Sequence, residues 1–134
     1  VMSQDSYRWL LRAAVAPSQP LPGRGLVFVD PPYDSSESYE AWNLYVLRHL
    51  HRHWPGRCLA LWYPLLEGAP SLYAQLVELS VGEVLVAEMS VDRQRTGEPA
   101  QLAGSGVAVI RAPDGLEERL AEALPVLGRL LTPD

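Results

Sequence analysis

The chain has 134 residues, 48% of them hydrophobic, and a net charge of −5 from 11 basic against 16 acidic side chains. That is one ordinary domain with enough apolar content for a core. The acidic balance excludes a module dedicated to coating nucleic acid, whose footprint is basic, but not an enzyme that touches nucleic acid through a local patch. No apolar run reaches membrane-spanning length, and "VMSQDSYRWLLR" lacks the layout of a signal peptide, so no membrane partner is expected. The single cysteine, Cys58, excludes an internal disulfide and suits a reducing, cytoplasmic location.

In chain order, residues 6–15 read as a short helix with Trp9, Leu10 and Val15 inward, followed by a Pro/Gly loop. "LVFVD" (26–30) is a continuous apolar run, the pattern of a strand buried on both faces. Residues 36–53 form a helix, with Tyr39, Trp42, Tyr45, Val46 and Leu50 at helical spacing. "RCLALWY" (57–63) is a second buried strand, closed by Pro64, with Cys58 in the core. A helix over 69–80 opens at Pro70 or Ser71, and 83–91 is a third strand. A polar loop leads to a fourth strand over 105–112. The last helix, 114–131, opens on Asp114 and Glu117 as a capping box and is kinked by Pro125.

Strands alternating with helices specify an α/β protein with a mostly parallel sheet. The last two strands lack an intervening helix, so an antiparallel pairing is expected there. Open sheets of this kind bind ligands beyond the carboxyl ends of their strands. The first strand ends at Asp30-Pro31-Pro32-Tyr33. The prolines stop the ladder and fix the carbonyls of Asp30 and Pro31 toward a cleft. Asp30 adds an acceptor-only carboxylate and Tyr33 a flat aromatic face. Acceptors beside a stacking plate suit a planar ligand with an amino group, such as a base taken out of its stack. Two acceptors on the N–H bonds favour a more tetrahedral, more nucleophilic nitrogen and drain its developing charge. Trp62-Tyr63-Pro64 ends the second strand on the same edge, where it either walls a base pocket or packs in the core.

"DPPY" resembles the motif IV signature of S-adenosylmethionine-dependent amino-group methyltransferases. The longer pattern, "GRGLVFVDPPYD", "SYEAW", "GRCLALWYPL" and "GSGVAVI", resembles the RlmJ family over residues 3–131. The resemblance implies methylation of N6 of an adenine in 23S ribosomal RNA, with S-adenosyl-L-methionine as cofactor and the RNA as partner. It implies that Asp30 is the catalytic acid-base residue and also borders the cofactor. Pro31, Pro32 and Tyr33 bind the base, the Pro31 carbonyl as second acceptor and Tyr33 as plate, and Trp62 and Tyr63 are candidate walls. Asp5 and Ser6 match the stretch where the family has an Asp-Gly that contacts the cofactor; Ser6 departs from the glycine.

A larger departure is the Gly-rich cofactor loop after a first strand and the acid after a second, which these residues do not contain. "GRG" (23–25) and "GSG" (104–106) precede strands and read as turn glycines. Residues 1–134 are therefore expected to be the C-terminal part of one Rossmann-like methyltransferase domain, its fourth to seventh strands, without the N-terminal cofactor-loop half. Two other readings stand beside the enzyme: an incompetent half-domain kept as a binding or assembly module, and adenine-N6 methylation of DNA. Self-association of the fragment is expected through an exposed strand edge.

Smaller signals carry bland readings. His49 and His53 lie one turn apart, but nothing completes a metal set, and no metal site is assigned. Arg48, Arg52 and Arg57 read as solvated charge at a helix end rather than RNA contacts. Arg93 and Arg95 read as a solvated loop.

Overall fold

The computed structural model describes residues 5–16, 24–30, 37–66, 72–90 and 102–131. Its elements run α1 (Ser6–Val15), β1 (Leu26–Val29), α2 (Glu37–His53), β2 (Cys58–Leu66), α3 (Leu72–Glu78), β3 (Val84–Ser90), β4 (Leu102–Ile110) and α4 (Leu116–Leu131). Among the described residues no helix is long and apolar enough to cross a membrane.

The four strands form one sheet in the order β1-β2-β4-β3. β1 pairs parallel with β2, while β4 is antiparallel to both β2 and β3. β1, β2 and β3 thus point one way and only β4 runs against them. The α/β class, the mostly parallel sheet and the antiparallel last strand all agree with the sequence pattern. Antiparallel neighbours such as β3 and β4 need no crossover helix between them.

Strand alternation divides the sheet into two faces. One presents Val29, Leu59, Leu61, Tyr63, Ala108 and Ile110 to the helices, where Val46, Leu47, Leu50, Leu76 and Ala13 close the core. The other is open at β1: Leu26 is 64% and Phe28 55% exposed. The expectation of a strand buried on both faces is corrected here. An apolar run shows that both faces are apolar, not that both are covered within these residues.

Several other readings are corrected. Val15 is exposed, and the small Ala13 and Ala14 make the close contact of α1 instead. Trp42 and Tyr45 stay about half exposed while Val46 and Leu50 are buried. Pro64 does not close β2, which runs on to Leu66 with Pro64 opposite Ser105. Past Leu61 the β1 flank of β2 is open among the described residues, and an open flank tolerates a residue without a donor. Gly115, with φ +77°, stands before α4 where Asp114 was expected to cap; Pro70 and Ser71, expected to open α3, lie outside the described residues, which take up the helix at Leu72.

The glycines of "GSG" are strand residues, not turn residues. Gly104 approaches the Met89 backbone too closely for any side chain. Gly106 lies between Tyr63 on one neighbouring strand and Glu88 on the other. The Tyr63 ring crosses over it, and its hydroxyl donates to Glu88 Oε1 at 2.6 Å. A Cβ on Gly106 would occupy the space of that ring.

Candidate functional site

Asp30 follows buried Val29 and is itself exposed at the carboxyl end of β1. Pro31, Pro32 and Tyr33 lie outside the described residues. The β1–β2 register sets Val29 beside Leu61, so Asp30 leaves the sheet level with Trp62. Consecutive strand residues face opposite ways. Tyr63 is 3% exposed on the helix-covered face, with ring and hydroxyl engaged as described. Trp62 is half-buried on the opposite face, which it shares with Leu26 and Phe28. The structure therefore does not bring Trp62 and Tyr63 together as one wall.

Asp5 is the N-cap of α1: its Oδ1 accepts from the backbone N–H groups of Tyr7 at 3.0 Å and Arg8 at 3.3 Å. Its other oxygen pairs with Arg8 Nε at 3.3 Å. Ser6 is the first helical residue and is exposed. Two residues on from Asp5, the Tyr7 hydroxyl donates to Asn43 Oδ1 at 2.6 Å, tying the start of α1 to the second turn of α2. Asn43 is 2% exposed, so this bond satisfies a buried amide oxygen. A crossover helix joining parallel strands begins at the carboxyl end of the first strand. Asp5 and Asp30 therefore share one end of the sheet. Two exposed carboxylates suit the hydroxyl and ammonium donors of a cofactor such as S-adenosylmethionine, and supply nothing for its carboxylate.

A cleft of about 660 Å³ lies at the other end. The start of β3, the end of β4 and the start of α4 line it through Glu83, Arg111, Asp114, Glu117 and Glu118. Sequence reasoning did not anticipate it, because its lining comes from the ends of several elements and the turns beside them, which meet only in the fold. Arg111, with φ 55°, donates Nη2 to the His51 carbonyl at 2.7 Å and Nη1 to those of Arg57 at 3.2 Å and Trp54 at 3.3 Å. It thereby satisfies carbonyls at and beyond the end of α2. His51 is held below its ordinary pKa, first by burial and then by the Arg111 charge.

Arg57 is buried and stacks over Trp54 at 4.5 Å, which corrects the reading of it as solvated charge. Arg48 and Arg52 are exposed as expected; Arg93 and Arg95 lie outside the described residues. Cys58 is half-buried rather than fully in the core, and burial raises its thiol pKa, so it is a poor nucleophile. Among the described residues no group of three His, Cys, Asp or Glu side chains is placed to hold a metal.

Comparison with known proteins gives matches of three kinds. The family model described as "Ribosomal RNA large subunit methyltransferase D, RlmJ" matches residues 1–134. Ribosomal RNA large subunit methyltransferase J of Escherichia coli is 31% identical over 118 residues, 85% of this chain and 40% of that protein. The protein of the same name from Haemophilus influenzae is 29% identical over 115 residues, 83% of this chain and 39% of that one. The chain thus spans about two fifths of these relatives' length. Among solved structures, protein LPL1258 of Legionella pneumophila superposes with a TM-score of 0.72 at 20% identity, over 92% of this chain and 44% of that one. That likeness is one of fold.

Proposed function

The chain belongs to the RlmJ family of ribosomal RNA large subunit methyltransferases, and on that premise we propose that it forms the catalytic end of an enzyme that methylates N6 of an adenine in 23S ribosomal RNA. The observation that carries the reading is Asp30, an exposed carboxylate at the carboxyl end of β1, directly before Pro31-Pro32-Tyr33. Asp30 and the Pro31 carbonyl accept the two N–H bonds of the amine, and Tyr33 stacks on the base. S-adenosylmethionine, when bound, supplies the methyl group. The carboxylate favours the charge that develops on nitrogen and receives the proton the amine releases. Asp5, and with it Ser6, borders the cofactor from the same end of the sheet. Trp62 bounds the base from the open face, while Tyr63 supports the site through the sheet.

The test is methyl transfer from labelled S-adenosylmethionine to unmodified 23S ribosomal RNA by the full natural chain. Asp30→Ala is expected to lower turnover by about a hundredfold or more with an unchanged circular dichroism spectrum. Near-native turnover would sink the assignment. A second reading, a half-domain that binds or assembles without catalysing, is favoured by the apolar surface that Leu26 and Phe28 expose on β1. It gains if the unaltered full chain transfers no methyl group to RNA. A DNA duplex in the same assay separates the DNA-directed reading.

A further inference from the structure

One face of α2 carries a row of rings that neither the core nor the Asp30 end uses. Trp42 and Tyr45 are 48% and 54% exposed. Their rings meet edge-to-face at 5.7 Å, Tyr45 stacks on His49 at 6.2 Å, and His49 lies 4.4 Å from His53. His49 is fixed from below, its Nε2 within 3.3 Å of the Leu11 carbonyl. The spacing of 42, 45, 49 and 53 makes one stripe, and exposed Arg48 and Arg52 run beside it. From Ala41 to Arg57 there is no acidic residue, in a chain whose net charge is −5. The neighbouring α1 contains Arg8 and Arg12 and no acid. The stripe covers a rise of about 16 Å along the helix. Because α2 begins at the end of the sheet that carries Asp30, the row starts there and leads away from it.

Large exposed rings in one line are costly in water unless something covers them. Their occupant here is set by charge. A second copy of this face would bring arginine against arginine, whereas a polyanion with flat bases satisfies rings and guanidinium groups together. We infer that the Trp42–Tyr45–His49–His53 row, flanked by Arg48 and Arg52, is a stacking track for single-stranded RNA leading to the Asp30 end. This rests on the proposed RNA substrate and adds the surface that holds the strand beyond the target base.

The test uses the full natural chain and a fluorescein-labelled, unstructured 12-nucleotide RNA, with binding read by anisotropy. Trp42→Leu/Tyr45→Leu keeps apolar bulk and removes the plates; affinity is expected to fall about tenfold or more. Tyr45→Phe should retain it. Arg48→Gln/Arg52→Gln should flatten the plot of log affinity against log salt by about 1.4, roughly 0.7 per lost phosphate contact. Unchanged affinity and salt slope in both double variants, with native circular dichroism, would overturn the track. So would a change of the Leu/Leu variant from dimer to monomer without loss of RNA affinity, since the row would then be a protein interface. Asp30→Ala separates the two proposals. Binding kept with methyl transfer lost supports both, whereas intact transfer by an Asp30 variant removes the proposed site and leaves the track judged by anisotropy alone.

Discussion

At the residue scale, Gly106 is decided by its neighbours. An alanine Cβ there would meet Tyr63 Oη at 2.6 Å and Cε2 at 2.8 Å. The ring has little freedom to yield, being 3% exposed and bonded to Glu88. Gly106→Ala is therefore expected to destabilise the fold by about 1–3 kcal/mol, read as a lower urea midpoint. Tyr63→Leu in the same chain should restore part of the loss by vacating the space, and an unshifted midpoint for Gly106→Ala alone would refute the contact. Tyr33 poses a different question, because it concerns the base and not the fold. If it is a stacking plate, Tyr33→Ala should reduce RNA methylation much more than Tyr33→Phe, since stacking needs the ring alone and is worth about 1–3 kcal/mol. Equal losses from both changes would instead mean that the hydroxyl makes the contact.

At the element scale, Arg111 holds the end of α2 against the sheet through three carbonyls. Arg111→Met should cost about 2 kcal/mol, with hydrogen exchange accelerated most in the last turn of α2. His51 adds a pH dependence. Its folded pKa lies below the ordinary histidine value of 6.5, so the unfolded chain binds the proton more readily. Stability from this group is therefore complete above the unfolded pKa and declines as pH falls below about 6.5 toward the folded pKa. Titration of His51 by NMR should place it below 6.5, and a raised value would contradict the burial seen here. Arg111 also shows where the sequence is silent: one arginine in "VIRAPDG" has no local pattern that announces a distant helix end. What was legible had local causes. The 3.6-residue period located α2, the apolar runs located β1 and β2, and the missing crossover helix announced the antiparallel hairpin. The strand-end position of Asp30 followed from the same patterns. What was not legible was tertiary: that Gly104 and Gly106 sit inside β4, that Tyr63 turns inward while Trp62 does not, and that Trp42 and Tyr45 remain outside.

At the scale of the whole molecule, the sheet is covered on one face, while the other buries Ala60 and Val109 but is open at β1. Leu26 and Phe28 expose apolar surface beside half-buried Trp62, and β1 is a terminal strand of the sheet. Among the described residues its outer backbone groups have no strand partner, which makes the edge a template for another chain. A second apolar surface lies on α4, where Leu130 is 75% and Leu131 59% exposed. Residues 1–134 on their own are expected to self-associate through the β1 edge and its open face, which light scattering would show as a mass above that of the 14.8 kDa chain. Phe28→Lys should shift the population toward monomer, because it places a charge on the surface being buried. Leu130→Lys should leave the mass unchanged if β1 is the contact, and should lower it if α4 is. The same fragment is expected to show no measurable heat with S-adenosylmethionine. The carboxylates of Asp5 and Asp30 are exposed at one end of the sheet, and two such groups reach only the donor side of the ligand. Micromolar binding by monomeric 1–134 would mean that these residues already enclose the cofactor, and the expectation drawn from the two carboxylates would fall.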